Sequence, residues 1–144
     1  MIPPFTDDGF LPPGVHTATL AEFEERFVNS TSSERRRELF ERLREVIADA
    51  HRTPWVRHVY VAGSFVTAKP HPGDFDCLLV LDPAGANAEL RPFEYNLFIV
   101  KAAKRRHRGD VFAVSEGTPL HNQLWDFFQS TRQGGRVGIV KVTL

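Results

Sequence analysis

Two long stretches of the chain carry apolar residues at helical spacing. In ERRRELFERLREVIADAHR, residues 34–52, apolar side chains recur every three or four positions. This pattern predicts an amphipathic helix, and Ser32 or Ser33 is placed to cap it. Residues 90–107 repeat the pattern and predict a second long helix, with Pro92 near its start.

Shorter apolar runs predict β-strands. VRHVYVA ends at Gly63, and FDCLLVL, which has no polar alternation, predicts a buried central strand. DVFAV begins a third strand at Asp110, and VGIVKVTL predicts a final one after a short aromatic helix at 124–128. The order helix, strand, strand, helix, strand, strand predicts an α/β (α+β) fold, a mixed β-sheet flanked by helices.

The N-terminal segment differs from the rest of the chain because it is rich in proline. The run LPPGVH cannot form a regular helix or a central strand, since proline lacks the amide donor. We therefore expect residues 1–30 to form an extended arm. The 144 residues suffice for one sizeable core and not for two ordinary domains, so we expect a single domain over 1–144.

Composition and charge exclude several classes of protein. The chain is 42% hydrophobic and 25% charged, which is typical of a soluble globular protein. It has no apolar run of roughly 20 residues and no signal-peptide pattern, so we expect a cytoplasmic protein with no membrane partner. Eighteen basic and eighteen acidic residues balance, which leaves no long-range attraction for nucleic acid. The single cysteine, Cys77, excludes an internal disulfide.

Two basic clusters remain as local features. Arg35, Arg36 and Arg37 lie in the first turns of the first helix, and we expect them to be solvated or paired with neighbouring glutamates rather than to contact RNA. The second cluster, from Lys101 to Arg108, ends the second helix, where cations suit the helix dipole. The alternative for this cluster is an RNA-binding surface.

Aromatic and histidine residues suggest no second site. The six histidines are scattered over different predicted elements and form no ligand set. Four aromatic residues near the ends of elements are expected to pack in the core rather than to stack a base. They are Trp55, Trp125, Phe127 and Phe128.

Two aspartates interrupt the apolar pattern where the second strand begins. Asp74 and Asp76 would share one face of any strand that holds both. Turn chemistry after Pro72 and Gly73 accounts for Asp74. Asp76 is different, because an acid within an apolar strand is costly to bury unless it is paired or bound to a metal.

Gly63 and Ser64 end the first strand at the edge of the sheet where these acids begin the second. Glycine allows a ligand to approach the backbone, and the following amides and the Ser64 hydroxyl can donate to phosphate oxygens. Carboxylate oxygens suit Mg²⁺, which takes its other ligands from phosphates and water. Lys69 in the spacer is a further candidate for phosphate contact. The sequence therefore predicts a nucleoside triphosphate pocket with bound Mg²⁺.

The stretch GSFVTAKPHPGDFD resembles the motif of the nucleotidyltransferase superfamily of the polymerase-beta type. In that motif glycine and serine are followed, after a spacer, by an acid, an apolar residue and an acid. Together with LPPGVHTATLAEFEERF and WDFFQSTRQGGRVGIVKV, it is similar to a family of small, poorly characterised bacterial domains assigned to that fold. The resemblance spans nearly the whole chain and implies a nucleotidyltransferase-like sheet.

The superfamily pattern also implies a third acid on a later strand. Asp82 lies six residues beyond Asp76, about 20 Å along a strand, and is too far to share a metal with it. Asp110 begins the next strand and would lie opposite Asp76 if the two strands pair. Glu116, at the far end of that strand, is the alternative. We predict Asp110.

The resemblance implies a Mg²⁺-dependent enzyme. Asp74 and Asp76 would hold the metal against the triphosphate, and Asp110 would complete a second metal site and activate an acceptor hydroxyl. Two ions about 4 Å apart would then stabilise the attacking and leaving oxygens. Pyrophosphate would leave, and a nucleoside monophosphate would be attached to a protein, an RNA end or a small molecule.

Other functions remain as alternatives. Small members of the superfamily often belong to toxin-antitoxin or defence modules, which implies a cognate toxin or antitoxin as partner. A non-catalytic, antitoxin-like module would hold a nucleotide or a partner without turnover, and the spacer FVTAKPHPG favours it by lacking the second glycine of many relatives. An RNA-binding domain would lose affinity steeply with salt.

Overall fold

The fold is mixed α/β, as the sequence predicted. A computed structural model describes residues 2–144. Within that range the β-strands are β1 (Gly14–Ala18), β2 (Val56–Ala62), β3 (Asp76–Leu81), β4 (Asp110–Ser115) and β5 (Gly138–Val142). The α-helices are α1 (Leu20–Glu24), α2 (Glu34–Arg52), α3 (Pro92–Phe98), α4 (Val100–His107) and α5 (Pro119–Phe128).

The five strands form one mixed sheet in the order β1-β5-β2-β3-β4. The edge pairs β1 with β5 and β3 with β4 are parallel, whereas β2 runs antiparallel to both of its neighbours. Strand β3 is therefore an interior strand, and its residues from Cys77 to Val80 are buried. The predicted buried strand is confirmed, and an interior position explains its lack of polar alternation.

Helices cover both faces of the sheet. Ser33 caps α2 by accepting a hydrogen bond from the amide of Arg36 at 3.2 Å. The residues at helical spacing form the buried side of α2: Leu39, Phe40, Leu43, Val46, Ile47 and Ala50. They pack with strand residues such as Val59 and Leu79. On the opposite face, α5 packs through Phe128 and Trp125.

The long helix predicted for 90–107 is two helices. The break is at Ile99, whose φ of −97° and ψ of 116° are extended. The apolar repeat continues through the break, because α3 buries Leu97 and α4 buries Ala102 and Ala103. The spacing of apolar residues therefore gave no sign of the break at Ile99. Over residues 2–144, no helix combines the length and the apolar character needed to cross a membrane.

The extended arm predicted for 1–30 is present only at its beginning. Residues 2–13 contain no helix or strand, but β1 then pairs with β5, and α1 continues into a π-helical turn, Glu25–Asn29. Thr19 and Glu22 form a capping box that begins α1. Proline constrains only its near neighbours, so its influence ends where β1 starts.

Candidate functional site

The first acids of β3 and β4 lie side by side. Parallel pairing of the strands places Asp110 directly opposite Asp76, in the register expected from the sequence. Adjacent strands are about 4.8 Å apart, so the two carboxyl groups lie within reach of one ligand. By strand alternation both point to the face of the sheet that carries α5, as Leu78 and Phe112 do.

Glu116, the alternative third acid, lies at the other end of β4. It is six residues from Asp110, about 20 Å along the strand. Its carboxylate pairs with Arg57 at 3.1 Å, and Arg57 also pairs with Asp82 at 3.0 Å. Both Glu116 and Asp82 therefore belong to a separate ion-pair group.

The environment of Asp76 opposes its ionisation. Burial is the largest cause that raises the pKa of Asp76 from its ordinary value of 3.8 to about 6, and the negative charges of Asp110 and Asp74 raise it further. The charge of Lys104 acts in the opposite direction. A carboxyl group in this position is stabilised by an added positive charge.

Asp74 precedes β3 and does not share a strand face with Asp76. Its Oδ1 accepts a hydrogen bond from the amide of Phe75 at 2.8 Å, within the turn. The Phe75 ring is buried against Gly109, where an added Cβ would lie 2.2 Å from a ring atom. This contact ties the turn that carries Asp74 to the start of β4, and so to Asp110.

Lys104 on α4 joins the acids, and sequence reasoning did not single it out. Its Nζ contacts Oδ2 of Asp74 and lies 3.3 Å from Oδ1 of Asp110. The hydrogen bond to Asp74 is the largest cause that raises the pKa of Lys104. The sequence showed only a helix-end lysine, because its position over the acids depends on how α4 packs at the end of the sheet.

Gly63 has a different role from the one expected. Its φ of 78° is in the left-handed region, and a Cβ at this position would lie 2.1 Å from Oδ2 of Asp76. The space over Gly63 is thus filled by the Asp76 carboxylate rather than left for a ligand. Glycine is required here both by its backbone conformation and by this close approach.

Arg36 holds the loop that follows Gly63. It is only 2% exposed, and its guanidinium donates to the backbone carbonyls of four residues. They are Phe27 at 3.1 Å, Phe65 at 2.7 Å, Thr67 at 2.7 Å and Lys69 at 2.6 Å. The expectation that Arg36 would be solvated or paired with glutamate is wrong. A signal was present, because residue 36 precedes Leu39 and Phe40 on the buried side of α2.

The neighbouring arginines form the predicted pairs with glutamate, and Arg35 also donates hydrogen bonds to the backbone carbonyls of Pro72 and Gly73. Arg35 pairs with Glu38 at 3.3 Å, and Arg37 pairs with Glu34 at 2.8 Å. Both pairs link residues three apart along the exposed side of the helix. Of the three consecutive arginines, only Arg36 has a buried side chain.

A cleft of about 840 Å³ opens beside these elements. Gly63, Ser64, Lys69 and Asp76 line one side of it. The remaining walls come from residues 8–11 of the arm and from the end of α5 with the loop that follows. Asp76 and Ser64 therefore face a common space, whereas Asp74 and Asp110 do not line it.

Phe127 contributes an aromatic ring to the far wall of the cleft. It is 66% exposed, so the expectation that it packs in the core is wrong. The other three aromatic residues do pack: Trp55 against Gly85, Trp125 edge-on to Tyr60, and Phe128 against Phe112. Phe10 of the arm, 36% exposed, is a second aromatic residue in the lining of the cleft.

Comparison with known proteins assigns the chain to a family. A model described as a family of unknown function (DUF6932) matches residues 3–143. The chain belongs to this family. Neither the curated proteins nor the solved structures contain a match to it. The description of the DUF6932 family names no activity.

The acids of this DUF6932 protein fit Mg²⁺ by donor type. Within residues 2–144, no three histidine, cysteine or acidic side chains are grouped as they would be around one metal ion. Asp74 and Asp110 nevertheless already share one cation, the Lys104 ammonium, and Asp76 lies beside them with a raised pKa. Carboxylate oxygens are the donors that Mg²⁺ uses, and of these three acids only Asp76 lines the cleft.

Proposed function

We propose that the protein is a Mg²⁺-dependent nucleotidyltransferase with a nucleotidyltransferase-like fold. It would transfer a nucleoside monophosphate from a nucleoside triphosphate to a hydroxyl group of a protein, an RNA or a small molecule. The observation that carries the proposal is the pairing of Asp76 with Asp110 at the end of the sheet where Gly63 and Ser64 line a cleft. Acids from two strands and phosphate donors from a third segment meet at one place.

The loop after β2 suits the triphosphate. The short 3₁₀ helix Ser64–Val66 follows Gly63, and the Ser64 hydroxyl and Lys69 both line the cleft. Arg36 donates hydrogen bonds to three carbonyls of this loop, those of Phe65, Thr67 and Lys69, and so holds it in place. A loop held in this way can bind phosphate oxygens without first being ordered, which improves affinity.

The three acids would act on the metal and on the acceptor. Asp74 and Asp76 would bind Mg²⁺, and Asp110 would complete the metal site and receive the proton of the acceptor hydroxyl. Bound Mg²⁺ supplies charge neutralisation of the phosphates and of the leaving pyrophosphate. Asp76 would orient the triphosphate, because it is the acid that lines the cleft.

The cleft has room for a nucleoside beyond the phosphates. Its volume of about 840 Å³ is within the usual range for small-molecule sites. Phe127 offers an exposed ring on which a base can stack, and stacking accepts any base. Arg132 and Gln133 lie along the same wall and provide polar contacts.

Label transfer tests the proposal. The full chain would be incubated with Mg²⁺, each nucleoside triphosphate labelled at the α-phosphate, and cell extract as a source of acceptors. We expect transfer that falls at least about 100-fold in Asp76→Asn and in Asp110→Asn, since each removes a charge from the reacting site. Glu116→Gln is the matched control, because it changes an acid that follows the far end of β4, outside the site. Absence of transfer, or transfer that persists in Asp76→Asn, would contradict catalysis.

A non-catalytic binding module is the second candidate. One observation favours it: the Lys104 ammonium contacts Asp74 and lies 3.3 Å from Asp110, so a cation of the chain itself neutralises part of the acid group. Such a module would bind a nucleotide or a cognate toxin or antitoxin partner. Calorimetry separates the two functions, because a binding module takes up triphosphate and releases it unchanged.

RNA binding through the basic cluster at 101–108 is less well supported. Lys104 contacts acids of the site, Arg106 pairs with Glu45 at 3.4 Å, and His107 is buried. These contacts reduce the charge that the cluster presents to a phosphate backbone. An affinity for RNA that falls steeply with salt would favour this function instead.

A further inference from the structure

His107, the last residue of α4, is a buried histidine without a hydrogen-bond partner. Its side chain is 0% exposed, and within residues 2–144 neither of its ring nitrogens forms a hydrogen bond. Burying polar ring atoms in this way costs free energy unless a partner can be gained. The groups around the ring show which partner that is.

Two carboxylates of α2 lie beside the ring. Nδ1 of His107 is 3.9 Å from Oε2 of Glu45, and Nε2 is 3.7 Å from Oδ2 of Asp49. Glu45 and Asp49 are four positions apart on the helix, so their side chains are neighbours on one side of it. Both distances exceed the length of a charge-assisted hydrogen bond by about 1 Å.

Only the protonated ring matches this pair of acceptors. Neutral imidazole has one N–H donor and one acceptor nitrogen, whereas an ionised carboxylate only accepts. One nitrogen of neutral His107 must therefore direct a lone pair at a carboxylate. The imidazolium has a donor on each nitrogen, so it is able to donate to Glu45 and Asp49 at once.

Burial opposes the charged form of the ring. It is the largest cause that lowers the pKa of His107 from its ordinary value of 6.5, and the neighbouring Arg106 lowers it too, while Asp49 and Glu45 act in the opposite direction. The ring is therefore neutral at pH 7 and takes up its proton at a lower pH than an ordinary histidine. Because the unfolded chain binds this proton more readily, stability falls as pH decreases through that window.

The acids of the other elements that pack on α4 have partners elsewhere. On α3, Glu94 accepts hydrogen bonds from the Thr53 hydroxyl at 2.6 Å and from the Arg91 guanidinium at 2.9 Å. On β4, Asp110 lies 3.3 Å from the ammonium of Lys104. The acceptors available to His107 therefore belong to α2.

The helix that carries His107 also carries Lys104, one turn earlier. Helix α4 has only eight residues, and the extended residue Ile99 separates it from α3. A shift of about 1 Å at its end, of the size common for packed helices, would therefore be felt along the whole helix. Lys104 contacts Asp74 and lies near Asp110, so its ammonium would move relative to these acids.

We propose that His107 is a pH-sensitive switch between α4 and α2. The neutral ring has no partner. When it takes up a proton, it donates to Glu45 and Asp49 and draws α4 about 1 Å toward α2. This shift moves Lys104 at the acid group. The inference does not depend on the proposed function, because it concerns the position of a helix and not a reaction in the cleft.

Nuclear magnetic resonance of the isotope-labelled full chain, titrated from neutral to mildly acidic pH, tests the switch. We expect the His107 ring to change from one protonated nitrogen to two, with the amide of Lys104 shifting at the same midpoint. In Glu45→Gln and in Asp49→Asn both midpoints should fall by about 0.5–1 pH unit, because each change removes a negative charge beside the ring. Glu41→Gln, one turn earlier on α2 and paired with Arg44, is the matched control and should leave them unchanged.

Each part of the switch has an outcome that would overturn it. A ring midpoint that neither acid substitution lowers, or a ring that stays neutral until circular dichroism shows unfolding, would overturn the contact with α2. The Lys104 transition should disappear in His107→Gln, which separates it from the titration of nearby carboxylates. Its persistence there would overturn the movement of α4. Should His107→Gln not fold, a Lys104 midpoint that fails to follow the ring in Glu45→Gln, a change at a half-exposed side chain, would overturn it equally.

Discussion

At the scale of single residues, the contact between Gly63 and Asp76 is the most demanding feature of the site. The backbone of Gly63 adopts a positive φ, and the Asp76 carboxylate occupies the space of the missing side chain. Two separate requirements therefore select glycine, one conformational and one steric. Any other residue at this position would both strain the backbone and collide with the Asp76 carboxylate.

We expect Gly63→Ala to lower the free energy of unfolding by about 2–4 kcal/mol, because the positive φ is strained by a Cβ and the carboxylate is displaced. Urea denaturation measures the loss. Gly117→Ala is the control, since Gly117 has φ of 82° and nothing within 4 Å of its added Cβ. The control should lose only the strain contribution, about 1 kcal/mol. Equal losses would show that the Asp76 contact is unimportant.

The raised pKa of Asp76 predicts a pH dependence of stability. The folded protein binds this proton up to about pH 6, whereas the unfolded chain releases it near its ordinary value of 3.8. The folded state therefore holds more protons between these values, and stability falls as pH rises through this window. Asp76→Asn should remove that fall. The difference in free energy of unfolding between Asp76→Asn and the wild type should therefore shift in favour of the variant by about 1–2 kcal/mol between pH 4 and pH 7, after allowance for solvent screening.

Urea denaturation of metal-free protein at a series of pH values would measure this effect. Asp82→Asn is a contrasting variant, because its effect on the pH dependence of stability should have the opposite sign. The pKa of Asp82 is lowered, and the hydrogen bond from the amide of Ala84 is the largest cause. Wild-type Asp82 stabilises the fold above its unfolded pKa, and this stability is lost as pH falls. An unchanged pH slope in Asp76→Asn would refute the assigned environment of Asp76.

At the scale of elements, α2 does more than cover the sheet. Through Arg36 it binds carbonyls from the π-helical turn and from the loop after β2, which are distant in sequence. A buried guanidinium is tolerated because its donors are satisfied. The helix that buries six apolar residues against the sheet also shapes the loop proposed to bind phosphates.

We expect Arg36→Met to lower the free energy of unfolding by about 2–4 kcal/mol, because four carbonyls lose a charged donor. Hydrogen exchange at the amides of Val66 and Thr67 should accelerate as the loop loosens. Arg37→Met, which breaks only an exposed pair with Glu34, should change stability by less than about 1 kcal/mol. Similar effects of the two substitutions would show that the loop does not depend on Arg36.

Elements also differ in how well the sequence predicted them. Helix α2 was predicted over its full length, because its cap and its apolar repeat are both local signals. The break between α3 and α4 was missed, because the repeat continues across Ile99. The edge strand β1 was missed as well, since its residues precede α1 within a segment dominated by its prolines.

At the scale of the whole molecule, the cleft depends on three segments that are far apart in sequence. The amide of Ala68 donates to the carbonyl of Gly9 at 2.8 Å, which joins the arm to the loop after β2. The end of α5 provides the third wall with Phe127. The substrate site would thus be complete only in the fully folded chain.

Phe127→Ala should weaken nucleoside triphosphate binding by about tenfold, as expected for loss of one base–aromatic stack of 1–3 kcal/mol. Binding of inorganic tripolyphosphate should be unchanged, because it has no base. Calorimetry would measure both ligands. Leu120→Ala, which truncates another exposed residue of α5 away from the cleft, is the control. A parallel loss for both ligands would argue against stacking on Phe127.

The sequence by itself determined the mixed α/β class, the extent of α2 and the buried strand β3. These follow from caps, periodicity and strand parity, which are properties of neighbouring residues. Only the tertiary structure decided that Lys104 lies between two carboxylates, that Arg36 turns inward, and that Asp76 fills the space over Gly63. Each of these contacts joins residues from separate elements. They depend on strand order and helix packing, and local sequence patterns do not specify these.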